Sequence, residues 1–293
     1  MTLVHIVQIL VLAIVQGLAE MLPVSSSAHV TVVARLIGFD VGSDAQADAQ
    51  WTFLLIMFHT GTMIAVLYYF WSRWKPLLKQ IPALLIATAI TGMVGFGLKK
   101  LIERVFLYDS VAANRKEIEH LFRNFPLIAA ALFAAGVLII VAGLKDAAKP
   151  AAGQIVSIPK SAVIGVVQAL VLPFRGFSRS GSTISVSMML GIARSRAEDF
   201  SFALAVLLTP GLIVYEGQKV FNQRAGLSGV SASLAPLFLP GVVGMGFSFV
   251  AGLIALRWLS RWLENGRWTW FGYYCLAAAV VVLAVHFAFP ATG

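Results

Sequence analysis

An all-α polytopic membrane protein is the fold class this sequence predicts, with six transmembrane helices and two re-entrant helical hairpins in an inverted-topology repeat. Three observations predict it. Of 293 residues, 59% are hydrophobic and only 12% charged, with a mean hydropathy of +0.86. A soluble domain is about half apolar and about a quarter charged, so lipid is the better solvent for this chain. Six segments, 51–71, 81–98, 125–144, 200–217, 235–257 and 269–289, approach the ~20 helical residues that a crossing needs. Two further pairs of apolar pieces, 3–22 with 24–38 and 161–172 with 183–193, are each split by a proline and a cluster of serines.

Taken in order, the first pair (3–38) reads as a hairpin. Several pieces of the two pairs are too short to span, and broken backbone at membrane depth survives only where protein or a polar cavity satisfies its hydrogen bonds. The 39–50 loop carries Asp40, Asp44 and Asp48 without Lys or Arg, so it reads as outside; the 72–80 loop, with Arg73, Lys75 and Lys79, reads as inside. Alternation then places 145–160 and 258–268 inside and both termini outside. Residues 99–124 disagree, mixing Lys99, Lys100, Arg104, Arg115, Lys116 and Arg123 with Glu103, Asp109, Glu117 and Glu119; they read as an interfacial amphipathic helix. The second pair (161–193) is the second hairpin.

The halves echo one another. Val15-Gln16-Gly17-Leu18 returns as Val167-Gln168-Ala169-Leu170, each followed by a proline (Pro23, Pro173) and serines, and Thr60-Gly61 is echoed by Thr209-Pro210-Gly211. Residues 1–150 and 151–293 then form two repeats, each one hairpin plus three crossings. An odd number of crossings inverts the second, a plan that puts its site near the midplane where broken helices meet.

The first polar motif runs from Gln16 through Glu20 to Pro23-Val24-Ser25-Ser26-Ser27-Ala28-His29. Gln16 and Glu20 are four residues apart and share a helix face. A carboxylate in an apolar segment needs a partner or a cation. Pro23 suits the first turn of a new helix, and the serines sit where backbone N–H groups lack helical partners. Packed capping serines, or a proton relay of Glu20 and His29, are the plainer readings. An acid, hydroxyls and an imidazole together at a break favour chemistry.

The second motif is Pro173-Phe174-Arg175-Gly176-Phe177-Ser178-Arg179-Ser180-Gly181-Ser182-Thr183. Glycine lets backbone N–H groups approach an anion, and arginine presents a planar fork to phosphate oxygens. Ser178, Ser180 and Thr183 add donors. A snorkelling arginine beside a glycine turn leaves the hydroxyls unexplained. A carboxylate in one motif and a phosphate nest in the other predict metal-assisted phosphate chemistry, in which Glu20 holds a divalent cation, Arg179 stabilises transition-state oxygens and a hydroxyl or imidazole attacks or moves a proton. The two motifs are expected to converge on a phosphate group.

Other features take plain readings. The net charge of +9 suits cytoplasmic loops and lipid headgroups, and no nucleic-acid partner is expected. Cys275 is the sole cysteine, which excludes an internal disulfide; it reads as a small buried residue. The seven tryptophans lie near segment ends, as interfacial anchors do. The N-terminal run reads as retained, since it continues into the first motif.

The stretch from Gln16 to His29 closely resembles the first motif of the bacterial undecaprenyl-diphosphate phosphatases, the bacitracin-resistance type, and Gly176-Phe177-Ser178-Arg179-Ser180-Gly181-Ser182-Thr183 resembles their second. The resemblance covers essentially the whole chain, including Phe200-Ser201-Phe202. It implies a cytoplasmic-membrane enzyme that cleaves undecaprenyl diphosphate for cell-wall synthesis, its site opening mainly to the outer face. It implies Gln16 and Glu20 near Ca²⁺ or Mg²⁺, Ser26 as candidate nucleophile, and His29 as base, acid or rival nucleophile. Arg179 clamps the diphosphate beside Ser178 and Thr183, and Ser25, Ser27 and Ser180 join the substrate contacts. The implied partners are the lipid substrate and membrane lipids, with a homodimer left open. Three departures stand out. Gln16 replaces an acid, which the family allows. Phe174 and Arg175 are inserted between Pro173 and Gly176, where they either reshape the loop or let Arg175 add a second phosphate contact. His59 stands where many members carry Gln and reads as a buried, hydrogen-bonded histidine. The alternative function is a polyprenyl-phosphate flippase or ion-coupled transporter, since the fold plan serves carriers as well.

Overall fold

A computed structural model describes residues 3–39, 41, 45–106, 124–148, 156–225 and 235–288. Among the described residues the regular structure is entirely helical. The helices are α1 (Leu3–Met21), α2 (Ser26–Leu36), α3 (Ala45–Tyr69), α4 (Ile81–Phe106), α5 (Phe125–Ala148), α6 (Ile158–Val171), α7 (Arg179–Met189), α8 (Arg194–Ala225), α9 (Ala235–Glu264) and α10 (Trp268–Ala288). Short helical turns, Trp71–Arg73, Trp74–Leu77 and Leu78–Gln80, link α3 to α4.

Among the described residues, seven helices are long and apolar enough to cross a membrane. Six are the expected crossings. The seventh is α1, at 19 residues about 28 Å long at 1.5 Å per residue, so the first piece of the expected 3–38 hairpin has crossing length by itself. The 11-residue helices α2 and α7 reach only about 16 Å, and the 14-residue α6 about 21 Å. Helix boundaries depart from the apolar segments at several ends. Helix α7 starts at Arg179 rather than 183, because Ser178 caps it, and α8 and α9 run on through charged residues at their ends. Caps and backbone bonds set helix ends; hydropathy marks only the part that meets lipid. Asp40, Asp44, Lys149 and residues 107–123, the bulk of the expected amphipathic segment, lie outside the described residues.

The chain divides into two compact units, each drawing on both halves of the sequence. The first comprises Met1–Leu22, His29–Ser72 and Ala205–Leu259; the second Pro23–Ala28, Arg73–Leu204 and Ser260–Gly293. In the first, Ile9, Leu12 and Ala13 of α1, Val30 and Ala34 of α2, and Trp51, Leu54 and Phe58 of α3 form one buried cluster with Phe39 and Leu237, at the three- and four-residue spacing of helix faces. Lipid tails are as apolar as leucine, so helices associate through close packing and hydrogen bonds. Small residues supply the close packing: a Cβ on Gly61 would stand 2.2 Å from the Met245 carbonyl oxygen, and one on Gly17 2.5 Å from that of Ser248. The Ser248 hydroxyl donates to the Phe58 carbonyl at 3.1 Å.

In the second unit α5 packs on α10 through a reciprocal glycine pair, Gly136 and Gly272, each within 3 Å of the other's carbonyl oxygen if given a Cβ. Helices α4 and α6 close on Gly165, where the Thr91 hydroxyl donates to the Gly165 carbonyl at 3.0 Å and the Gln168 amide donates to Thr91 at 3.0 Å. Two tryptophans depart from the anchor reading. Trp51 is 5% exposed within the first core, and Trp268, 1% exposed, donates its indole N–H to Ser185 at 3.0 Å. Position near a segment end does not distinguish an indole facing headgroups from one facing a neighbouring helix.

Candidate active site

In the first unit, Gln16 and Glu20 fall one turn apart near the end of α1, and α3 brings His59 to them. Gln16 is buried, at 1% exposed. Its amide nitrogen lies 3.1 Å from Glu20 Oε2 and 3.3 Å from His59 Nε2. Glu20 Oε2 and His59 Nε2 are 3.9 Å apart, and the two side chains are 17% and 27% exposed. His59 is therefore hydrogen-bonded, as expected, but only part-buried. Its Nδ1 faces the Leu55 carbonyl at 2.8 Å. A carbonyl only accepts, so Nδ1 carries a hydrogen, and in the neutral ring Nε2 then holds the lone pair. A carboxylate oxygen and an imidazole nitrogen 3.9 Å apart are two donors that suit one divalent cation, and the Gln16 amide beside them presents its nitrogen. Among the described residues no group of three or more His, Cys, Asp or Glu side chains meets that test.

The first motif breaks where expected. After α1 the chain turns through Pro23 and Val24 to Ser25, whose φ of 69° is left-handed. A non-glycine residue there is uncommon and costs of order 1 kcal/mol or more, which structures tend to retain at functional sites. Ser25 is 5% exposed and its hydroxyl lies 3.3 Å from that of Ser27. The Cys275 thiol, on α10, reaches the Pro23 carbonyl at 3.5 Å, so the buried cysteine helps hold the break. Ser26 opens α2 and His29 follows three residues later, on the same face.

The second motif belongs to the second unit. The chain turns after α6, with Phe177 N–H donating to the Phe174 carbonyl at 3.0 Å, so Phe174 and Arg175 lie inside this turn. Gly176 follows with a φ of 103°, and a Cβ there would stand 2.3 Å from the Ile128 carbonyl oxygen; only glycine meets both demands. Ser178 is the N-cap of α7, its hydroxyl accepting from Gly181 N–H at 3.1 Å and lying 3.4 Å from the Ser180 hydroxyl. The first turn of α7 therefore presents backbone N–H groups, hydroxyls and the Arg179 side chain together, a suitable cradle for an anion. Thr183 is fully buried; its hydroxyl donates back to the Arg179 carbonyl at 2.9 Å and lies 2.6 Å from the Ser201 hydroxyl on α8. Ser201 is the residue that sequence reasoning passed over. The only signal was its place in Phe200-Ser201-Phe202.

The family model described as bacitracin resistance protein BacA matches residues 9–281. The chain belongs to the BacA family. The match takes in every predicted site residue, from Gln16 to Thr183. Among curated relatives, undecaprenyl-diphosphatase 2 of Acinetobacter baylyi is 50% identical over 96% of this chain and 98% of its own length. The undecaprenyl-diphosphatase of Rhodopirellula baltica is 30% identical over 96% of this chain and 98% of its own. That of Albidiferax ferrireducens is 33% identical over 97% and 96%. With the BacA assignment and seven helices of crossing length, the chain is a multi-pass membrane protein.

Proposed function

We propose that this protein is an integral membrane phosphatase that hydrolyses undecaprenyl diphosphate to undecaprenyl phosphate and phosphate, recycling the lipid carrier for peptidoglycan synthesis. The observation that carries the reading is its full-length likeness to a curated undecaprenyl-diphosphatase at 50% identity. The flippase and transporter alternative is not favoured.

The residue roles follow from the motifs and from local geometry. Ser26 Oγ attacks the terminal phosphorus, the bond to the bridging oxygen breaks, and undecaprenyl phosphate leaves. His29, one turn along α2, takes the Ser26 proton and then activates the water that frees phosphate. Arg179 forks onto the phosphate oxygens and stabilises charge as it develops. Ser25, Ser27, Ser178 and Ser180 donate to the same oxygens, and Arg175 adds an outer contact. Thr183 acts by holding the Arg179 carbonyl, its hydroxyl hydrogen being committed there. A divalent cation, Ca²⁺ or Mg²⁺, held by Glu20 and Gln16 would offset the charge of the diphosphate.

The broken pairs α1–α2 and α6–α7 are read as the two membrane hairpins of an inverted repeat. Each is followed by three long helices, which supports that reading. The protein is placed in the bacterial inner membrane with its site opening to the outer face. The test is phosphate release from undecaprenyl diphosphate by the purified protein in detergent. Arg179→Ala and Ser26→Ala are each expected to lower turnover by about a hundredfold or more with an unchanged thermal midpoint; normal turnover in both would refute the assignment.

A further inference from the structure

We propose that His59 is a ligand of the catalytic cation, its Nε2 completing a set with Glu20 and Gln16. We further propose that this imidazole moves the preference of the site from calcium towards borderline cations such as Mn²⁺ and Zn²⁺. The proposal rests on the reading that Glu20 holds a divalent cation.

The tautomer is the starting point. Nδ1–H donates to the Leu55 carbonyl at 2.8 Å, so the neutral ring, the form that binds a cation, offers its lone pair at Nε2. Ligating histidines are oriented in the same way, by a carbonyl or carboxylate on the second ring nitrogen. The lone pair of Nε2 and that of Glu20 Oε2 converge on one point, the Gln16 amide nitrogen, 3.3 Å from the first and 3.1 Å from the second. An amide nitrogen only donates, so Gln16 spends one hydrogen on each neighbour. Two acceptors facing one donor group mark a place suited to positive charge. With bonds of about 2.1 Å to nitrogen and oxygen, one ion spans donors up to about 4.2 Å apart. The 3.9 Å between His59 Nε2 and Glu20 Oε2 lies within that reach. Turning the Gln16 amide over would present its carbonyl oxygen instead of its nitrogen and supply a third donor without moving the backbone.

The chemistry of the set decides the metal. Calcium and magnesium favour all-oxygen shells. An imidazole suits zinc and its neighbours, and affinity for a mixed nitrogen–oxygen site rises along the divalent series from manganese. A glutamine at position 59 would offer oxygen and leave the site a hard one. His59 thus acts as a specificity-determining ligand.

The experiment uses the untagged full-length protein in detergent with Mn²⁺ and reads directly bound nitrogen by pulsed electron paramagnetic resonance. Wild type is expected to show the coupling of one coordinated imidazole. The coupling should persist in His29→Gln and vanish in His59→Gln, in which the ratio of Mn²⁺ to Ca²⁺ affinity falls by about tenfold or more. His59→Asn provides the same comparison should His59→Gln fail to fold. Bound Mn²⁺ without nitrogen coupling in wild type overturns the proposal with no variant required, as does coupling that survives both substitutions at position 59. If Mn²⁺ binding depends on Glu20, tested with Glu20→Gln, but shows no nitrogen, this inference alone falls. If no cation binds at all, the cation reading falls with it.

Discussion

Thr183 has one hydroxyl hydrogen and several oxygens around it. The Arg179 carbonyl is 2.9 Å away, that of Ser180 3.3 Å, and the Ser201 hydroxyl 2.6 Å. Carbonyls only accept, so the Thr183 hydrogen points to them and Ser201 must donate to Thr183. Ser201→Ala leaves a buried lone pair without its donor and is expected to cost about 1–2 kcal/mol, read by chemical unfolding in detergent; Ser201→Thr, which restores the hydroxyl, should recover most of it. Gly176 is the stricter case at this scale. Its left-handed φ and its approach to Ile128 leave no room for a methyl group. Gly176→Ala is expected to cost about 3 kcal/mol and to lower expression of folded protein.

Among helices, packing depends on where glycines meet carbonyls. Gly136 and Gly272 let α5 and α10 touch backbone to backbone, and a larger residue at either must push the helices apart. Gly272→Leu is therefore expected to lower the thermal midpoint clearly. Gly97 on α4 has open space within 4 Å, so Gly97→Ala should be neutral or stabilise by up to about 1 kcal/mol through helix propensity alone. The same two measurements separate a packing glycine from an incidental one. The polar helix α7 makes the complementary case. Its inward hydroxyls are satisfied within the helix or by Ser201 and Trp268, which is what lets a serine-rich 11-residue helix be buried.

Over the second unit as a whole, residues far apart in sequence are tied by buried charge. Arg73 donates to Glu198 at 3.3 Å and to Asp199 at 3.4 Å, Ser260 donates to Glu198, and Arg194 pairs with the buried Asp146. Removing one partner of a buried pair strands the other and costs about 3–5 kcal/mol; Arg73 is one-third exposed, which reduces this to about 2 kcal/mol. Arg73→Met should show that loss on unfolding in detergent, and Glu198→Gln, which keeps both neighbours, should show less. At the same scale, chelation is expected to abolish phosphate release and added divalent cation to restore it; activity unaffected by chelator would count against the cation.

Much of the candidate site was legible because its spacing is local. Gln16 and Glu20 are four residues apart, Ser26 and His29 three, and the run from Ser178 to Thr183 makes a helix start by itself, so helix periodicity and capping already placed these groups on shared faces. Hydropathy likewise determined the class and the six longer crossings, because a segment's preference for lipid is a sum over its own residues. Tertiary structure alone decided the rest. His59 reaches Gln16 across 43 residues, Ser201 reaches Thr183 across 18, and Arg73 reaches Glu198 across 125. No local rule fixes which helix faces which, and a hydroxyl or an imidazole reveals whether it donates or accepts only when its neighbours are known. The tautomer of His59, the commitment of the Thr183 hydrogen and the burial of Trp51 and Trp268 depend on packing between helices, which is set by close contacts of side chain and backbone in three dimensions rather than by the order of residues along the chain.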